Sequence, residues 1–194
     1  MKSVYEEMND KTKRKIQNSF LNVLKEKHFM NITVRDITSL AEINRGTFYL
    51  HYQDKYDLLE QIEKQLLKGL ELQLQRLKPD ELLQEAEKGS ISRLSVEMFR
   101  YIQLNAEVFR VLLGNNNQGF HKRLKIFFVN HFGEKIAQNK AFFHNLDIPE
   151  DYLSSFATSA FLGLVEQWLE RGLAESPEQM ADMYIRIIFF IRNM

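Results

Sequence analysis

Apolar residues recur at intervals of three and four along nearly the whole chain, and this periodicity is the feature that most constrains the fold. Residues with this spacing lie on one side of an α-helix. Examples are the stripes Ile16, Phe20, Leu21, Leu24 and Phe156, Ala160, Phe161, Leu164, Trp168. No segment alternates apolar and polar residues long enough to indicate a strand. The sequence therefore predicts an all-α protein.

The residues that break these stripes indicate where helices end. Each of the three prolines stands where a helix is expected to start or stop. Gly172 is placed as a C-terminal cap, and Ser176 with Pro177 is a typical helix start. Leu94 to Leu112 reads as one amphipathic stripe. The segment Pro79 to Gly89 is polar and predicts a link between helices.

Composition excludes several classes of protein. Hydrophobic residues make up 44% and charged residues 27%, which is typical of a folded globular chain. No apolar run approaches the ~18 residues of a membrane span, and the first residues lack a signal-peptide pattern. We therefore expect a cytoplasmic protein that contacts no membrane. The chain has no cysteine, and its five histidines lack metal-ligand spacing, so we expect no metal site and no cofactor.

The charge of the chain is unevenly distributed. The net charge is zero, but residues 1–56 hold 10 Lys/Arg against 7 Asp/Glu. The early cluster Lys11, Lys13, Arg14 and Lys15 sharpens this excess. A basic N-terminal part on a mildly acidic remainder suits contact with phosphates at one end, although such clusters also occur as ordinary solvated helix faces.

The segment from Thr33 onward predicts a helix-turn-helix. Thr33 is a good N-cap, and Asp36 three residues later completes a capping box. A tight turn at Glu42 separates this helix from a second short one, in which Phe48 points inward. Asp54 caps a third, much longer helix. Two short helices joined by a short turn, the second with a polar outer face, are the arrangement that places a helix in the DNA major groove.

The second short helix carries the residues suited to DNA. Arg45 can donate two hydrogen bonds to guanine O6 and N7, and Gly46 permits close approach. Hydroxyl, imidazole and ammonium groups nearby suit phosphate oxygens, with Lys55 in the first turn of the long helix. The predicted DNA-binding residues are Arg35, Asn44, Arg45, Gly46, Thr47, Tyr49, His51 and Lys55.

The same stretch resembles the signature of the tetracycline-repressor (TetR) family of bacterial regulators. The matching residues are Thr33, Val34, Ile37, Ala41, Ile43, Gly46, Thr47, Phe48, Tyr49, His51, Tyr52, Lys55 and Leu58. Three positions depart from it: Thr38 and Glu42 replace the usual Ala and Gly, and Asn44 replaces Ser but keeps a side chain that can cap the second short helix. At position 42 the glutamate replaces glycine, the residue that most easily adopts positive φ. None of the three departures removes a predicted DNA contact.

The resemblance implies an all-helical homodimer with a three-helix DNA-binding head and a helical core that senses a ligand and forms the dimer. The domains are predicted as residues 1–56 and 57–194. A largely apolar effector would bind in the core, with Asn105 or His131 as polar anchors; both also suit ordinary buried hydrogen bonds. The predicted pocket residues are Phe99, Asn105, Phe109, Phe127, His131 and Trp168.

The dimer is predicted from the last two helices. The helix from Asp151 to Arg171 is apolar on more than one side and carries a stripe of small residues, so it needs cover on both sides. The predicted interface residues are Phe156, Ser159, Ala160, Gly163, Gln167, Tyr184, Ile187 and Ile191.

These features predict a sequence-specific DNA-binding transcriptional regulator, a repressor whose operator affinity a small molecule modulates. The alternative is the same DNA-binding dimer regulated by a protein partner. Its partners would be an operator duplex, a second copy of itself and a small-molecule effector. An enzyme is not expected, because the sequence holds no nucleophile-base set, no glycine-rich phosphate loop and no paired carboxylates in an apolar setting.

Overall fold

The computed structural model describes residues 4–75, 93–114, 118–138 and 148–192. Within these ranges the chain forms nine α-helices and one short 3-10 helix, and no strand, so the all-α prediction is confirmed. None of the helices in these ranges is long and apolar enough to cross a membrane. The predicted polar link between Pro79 and Gly89 lies outside the described residues.

The N-terminal part begins with a helix of 23 residues, which is followed by short helices of 3, 7 and 5 residues. The first ones are α1 (Val4–Glu26), the 3-10 helix (Phe29–Asn31), α2 (Val34–Leu40), α3 (Arg45–Tyr49) and α4 (Lys55–Gln75). The remaining ones are α5 (Arg93–Leu104), α6 (Ala106–Leu113), α7 (Gln118–Gln138), α8 (Glu150–Glu170) and α9 (Pro177–Arg192).

The chain divides into two compact units, of which the first comprises the described residues up to Leu66 and those of Val111–Gln118. The apolar stripe predicted on α1 forms the centre of this unit together with side chains of α2, α3 and α4. Its fully buried side chains include Ile16, Phe20, Ile37, Phe48 and Leu58. The predicted domain boundary after residue 56 stays a prediction.

The second unit comprises the described residues of Leu67–Arg110 and from Gly119 onward, and an aromatic cluster lies at its centre. Phe161 of α8 contacts rings of three other helices, with centroid distances of 5.4 Å to Phe99 of α5, 4.8 Å to Phe128 of α7 and 5.4 Å to Tyr184 of α9. Each such pair contributes about 0.5–1.5 kcal/mol of stability in addition to the burial of its two rings. The cluster therefore fixes four helices around one residue.

Glycine at position 69 permits a close contact between α4 and α5. A Cβ atom built there would lie 2.0 Å from the Tyr101 hydroxyl oxygen and 2.3 Å from its ring carbon. Such distances are far below van der Waals contact, so any larger residue would displace the ring. Burial also raises the pKa of the Tyr101 hydroxyl. The last turns of α4 are thus fitted directly against α5.

Two predicted helix boundaries are confirmed, but one predicted continuous stripe is divided between two helices. Gly172 adopts a positive φ of 74° after α8, as the C-cap prediction requires. Ser176 accepts from the Gln179 amide at 3.3 Å and starts α9. The stripe from Leu94 to Leu112, however, is split at Asn105 between α5 and α6. Periodicity missed this break because the apolar spacing continues across it.

Candidate nucleic-acid interface and core sites

The start of α2 is fixed by the predicted capping box. Thr33 Oγ1 accepts from the Asp36 amide at 3.2 Å, and Asp36 Oδ2 accepts from the Thr33 amide at 2.8 Å. Lys27 Nζ lies 2.8 Å from the same carboxylate. The Lys27 hydrogen bond and the two from Thr33 lower the pKa of Asp36 to about 2. The carboxylate therefore stays charged at neutral pH, and Arg35 is held on the exposed side of the helix.

The turn between α2 and α3 carries the strain expected from its sequence. Glu42 has a φ of 47°, a conformation that glycine adopts at no steric cost and other residues adopt at about 1 kcal/mol. Its carboxylate lies 3.1 Å from Lys15 Nζ of α1 and partly neutralises this member of the basic cluster. Both groups are exposed, so the pair contributes little to stability.

Helix α3 is anchored by one buried ring and exposes the rest of its surface. Phe48 is fully buried, whereas Arg45 and Gly46 are exposed and Tyr49 is 53% exposed. Nothing lies within 4 Å of a Cβ atom built on Gly46. The helix therefore presents an open outer face, and at Gly46 only the backbone limits how closely another molecule can approach.

Two other predicted contact residues on this face have particular surroundings. Asn44 occupies the N-cap position, but its side chain makes no capping hydrogen bond, which corrects the expectation that it replaces the capping serine. Burial and the nearby charge of Lys13 lower the pKa of His51 below its usual range. The imidazole is therefore neutral at pH 7 and can meet a phosphate through an N–H donor but not through charge. Thr47 is half-buried on the same helix.

The structure corrects the role expected for the Lys55 ammonium. Its Nζ donates to the carbonyl oxygens of Phe29 at 3.0 Å, Met30 at 2.9 Å and Ile32 at 2.8 Å. It also lies 4.9 Å from the Phe29 ring centroid and 5.3 Å from that of Tyr56. An ammonium group has three donors, and all three are used within the chain. Lys55 therefore holds the segment before α2 and has no donor left for phosphate.

Most of the predicted pocket residues are packed into the second unit. Phe99, Phe109 and Trp168 are each 1% exposed, and Phe127 is half-buried. Trp168 Nε1 donates to the Glu175 carbonyl at 2.9 Å, so its indole holds the turn before α9. This corrects its assignment as a ligand contact, because the polar edge of the ring is already occupied.

The two predicted polar anchors differ. Asn105 Nδ2 donates to the Tyr101 carbonyl at 2.8 Å and thereby caps the end of α5, which is the ordinary structural alternative for this residue. His131 Nε2 is buried and has no hydrogen-bond partner among the described residues, as is also true of Thr158 Oγ1. Burial lowers the pKa of His131, so the imidazole is neutral.

The predicted dimer residues separate into two groups. Phe156, Ser159, Gly163 and Gln167 lie on an exposed stripe of α8, and Ala160 is at its half-buried edge. Tyr184 instead packs against the Phe161 ring of its own chain, which corrects its assignment to the interface. Ile187 is 36% exposed, and the Ile191 side chain lies outside the described residues.

Sequence reasoning missed two features of this surface. Leu50 directly follows α3 and is 83% exposed, which no apolar periodicity signals. The hydrogen bonds of Lys55 join residues 23 to 26 positions apart, a distance at which a linear pattern carries no information. The described residues hold no cluster of three or more potential metal-ligating side chains.

Comparison with known proteins identifies this architecture. The family profile "Bacterial regulatory proteins, tetR family" matches residues 21–62, which include α2 and α3. The profile "TetR_C_8: Transcriptional regulator C-terminal region" matches residues 90–189, more than half of the chain. The chain belongs to the TetR family. It is thus a DNA-binding transcriptional regulator, as predicted, and TetR-family regulators are not enzymes.

Relatives of the TetR family extend over nearly the whole chain. An uncharacterized HTH-type transcriptional regulator of Haemophilus influenzae is 28% identical and covers 95% of this chain and 89% of its own length. The uncharacterized regulator YxbF of Bacillus subtilis is 26% identical over 92% of this chain, which spans only 44% of that relative.

Solved structures of the TetR family have the same fold. A TetR transcriptional regulator from Streptococcus agalactiae superposes with a TM-score of 0.62 at 25% identity, covering 95% of this chain and 97% of its own. NalD of Pseudomonas aeruginosa, described as the secondary repressor of the MexAB-OprM multidrug efflux pump, gives 0.62 at 18% identity, with coverage of 93% and 96%. At that identity the likeness to NalD concerns the fold.

Proposed function

We propose that this TetR-family regulator acts in the bacterial cytoplasm as a homodimeric repressor that binds a near-palindromic operator and is released by a small, largely apolar ligand. The observation that carries the proposal is the outer face of α3, which is polar, open at Gly46 and held from behind by buried Phe48. Two such helices in one dimer would meet half-sites about 34–36 Å apart or somewhat more. NalD, of the same fold, is itself a repressor.

Individual contacts follow from the surroundings of each side chain. Arg45, at the start of α3, suits a guanine edge in the major groove. Thr47, Tyr49 and neutral His51 suit phosphate oxygens as uncharged donors, with exposed Arg35 of α2 beside them in the helix-turn-helix. The start of α4 is not included, because the Lys55 ammonium and the amides of Tyr56 and Asp57 already donate to acceptors within the chain.

Substituting Gly46 by alanine should weaken DNA binding without destabilising the fold. No φ restriction applies at this position and nothing lies within 4 Å of the new methyl group, so the head should be unchanged or more stable by up to about 1 kcal/mol. The methyl group would stand between the α3 backbone and the duplex. We expect operator affinity to fall at least about tenfold, since 1.4 kcal/mol of lost contact has that effect.

The measurement uses a duplex selected by the wild-type protein from a random pool, with fluorescence anisotropy for affinity and urea unfolding for stability. Gln65→Ala, at an exposed position of α4, is the matched control and should leave both quantities unchanged. Unaltered operator affinity in Gly46→Ala would exclude a close approach of α3, and a wild-type protein that selects no duplex would refute the proposed function.

Release by a small molecule is supported by His131 Nε2 and Thr158 Oγ1, the two buried polar atoms of the second unit that have no partner among the described residues. Burying a hydroxyl or imidazole nitrogen without a hydrogen bond costs about 1–3 kcal/mol, which a ligand bonded to it would offset. Both His131 and Thr158 belong to the aromatic-rich second unit. Because these atoms are removed from the surface, a small ligand suits them better than a protein partner does.

Ligand release is tested with a panel of one- and two-ring aromatic compounds that each carry one hydrogen-bonding group. We expect at least one to raise the melting temperature and to lower operator affinity. Thr158→Val keeps the side-chain volume and removes the hydroxyl, so it should retain operator binding and lose the response. Full response in both Thr158→Val and His131→Phe would contradict these two anchors, whereas a wild-type protein that responds to none of the compounds would favour regulation by a protein partner.

A further inference from the structure

Leu50 is the most exposed large apolar side chain among the described residues, at 83%. It is the C-cap of α3 and keeps helical backbone angles, φ −71° and ψ −20°, and its amide donates to the Gly46 carbonyl. Helix geometry therefore fixes the direction of its side chain. At about 100° per residue, Leu50 and Gly46 lie on either side of the direction opposite buried Phe48.

This placement puts a leucine on the outermost line of the recognition helix. Gly46, one turn before it, has no side chain and meets nothing within 4 Å, so the isobutyl group of Leu50 stands out from an otherwise bare surface. Single exposed leucines are common on protein surfaces. Here, however, the leucine shares its face with the position at which the backbone is most open to the duplex.

The major groove offers one apolar group on its base edges, the C5 methyl group of thymine. We propose that Leu50 is a specificity-determining residue that packs against a thymine methyl group in each half-site of the operator. This inference rests on the proposed function. It adds the recognition of a thymine by apolar contact, without a hydrogen bond to the base. A polar residue at position 50 would leave that methyl group without an apolar partner.

The test replaces the operator thymines one symmetric pair at a time by deoxyuridine, which lacks only the C5 methyl group. The wild-type protein should lose about fourfold in affinity per half-site at one pair, because burying one methyl group is worth about 0.8 kcal/mol. Leu50→Ala should bind the unmodified operator more weakly and should show no further loss at that same pair. Leu72→Ala, an exposed leucine of α4, is the control and should reproduce the wild-type pattern.

Combining Leu50→Ala with deoxyuridine operators distinguishes a failure of this inference from a failure of the proposed function. Equal losses at every deoxyuridine pair in the wild-type protein and in Leu50→Ala would overturn the contact, while operator binding itself remained established. Failure of the wild-type protein to select any duplex would overturn both. Because Leu50 makes few contacts within the chain, urea unfolding should be the same for Leu50→Ala and the wild-type protein.

Discussion

Replacing Lys55 by methionine should lower the free energy of unfolding of the DNA-binding head by about 3 kcal/mol. Methionine keeps the length and apolar character of the stem and removes the three ammonium hydrogen bonds to the carbonyls of Phe29, Met30 and Ile32. A hydrogen bond that involves a charged group contributes about 1.5–3 kcal/mol. The three bonds would sum to at least about 4.5 kcal/mol. The expected effect is smaller because the bond to the Met30 carbonyl is exposed and water replaces part of the loss.

Operator affinity should fall with stability in Lys55→Met, although no phosphate contact is removed. The ammonium joins the start of α4 to the segment that leads into Thr33, the N-cap of α2. Without it, the edge-to-face contact between Phe29 and Tyr56, at 5.1 Å, still joins the two segments but supplies no hydrogen bond. The orientation of α2 and of α3 after it then becomes less well defined, and a loosely held recognition helix binds less tightly.

The salt dependence of binding distinguishes this role from a phosphate contact. Each phosphate contact contributes about 0.9 to the slope of log affinity against log salt concentration on duplex DNA. Lys55→Met should weaken binding at every salt concentration with the slope unchanged. Lys64→Met, which removes an exposed lysine of α4, is the control for the loss of a charge. Wild-type stability combined with a slope smaller by about one would show that the ammonium binds phosphate after all.

Local patterns account for what the sequence predicted well in the DNA-binding head. The capping box of Thr33, the inward position of Phe48 and the positive φ of Glu42 each follow from residues within a few positions of one another. Asp54 likewise accepts from the amides of Tyr56 and Asp57, at 2.8 and 2.9 Å, and starts α4 as expected. Helix ends and turns are decided by such short-range bonds, so one sequence suffices to find them.

The assignments that the structure corrected depend on contacts between distant segments. Trp168 and Tyr184 are apolar residues on broadly apolar helices, and the sequence alone does not tell which side of such a helix meets its own chain. The structure places both against Phe99, with centroid distances of 5.9 and 6.5 Å. Lys55 similarly has the right charge for phosphate, and only the positions of three carbonyl groups reveal its other role.

The exposed stripe of α8 leads to the second large prediction, that Gly163→Glu dissociates the dimer. This stripe consists of Tyr152, Phe156, Ser159, Gly163 and Gln167, at spacings of three and four. Tyr152 is 68% and Phe156 48% exposed, and no atom lies within 4 Å of a Cβ atom built on Gly163. Aromatic residues beside a glycine suit close packing of two equivalent helices about a two-fold axis.

An obligate interface of this kind buries more than ~2,000 Å² in total, and a charge placed at its centre loses its hydration without gaining a partner. We expect Gly163→Glu to sediment as a monomer at micromolar concentrations at which the wild-type protein is a dimer. Operator affinity should fall about a hundredfold or more, since two heads that bind independently lose the effective concentration of a linked pair.

The fold of the single chain should survive the same substitution, and this makes the prediction about the dimer specific. The glutamate side chain extends into open space, and glutamate is favoured over glycine inside a helix by about 0.5–1 kcal/mol. Circular dichroism should therefore show unchanged helix content in Gly163→Glu. Ala137→Glu, at an exposed position of α7, adds an equal charge elsewhere and should remain dimeric with full operator affinity. A wild-type protein that sediments as a monomer at micromolar concentration, or a dimeric Gly163→Glu, would show that this face of α8 is not the dimer contact.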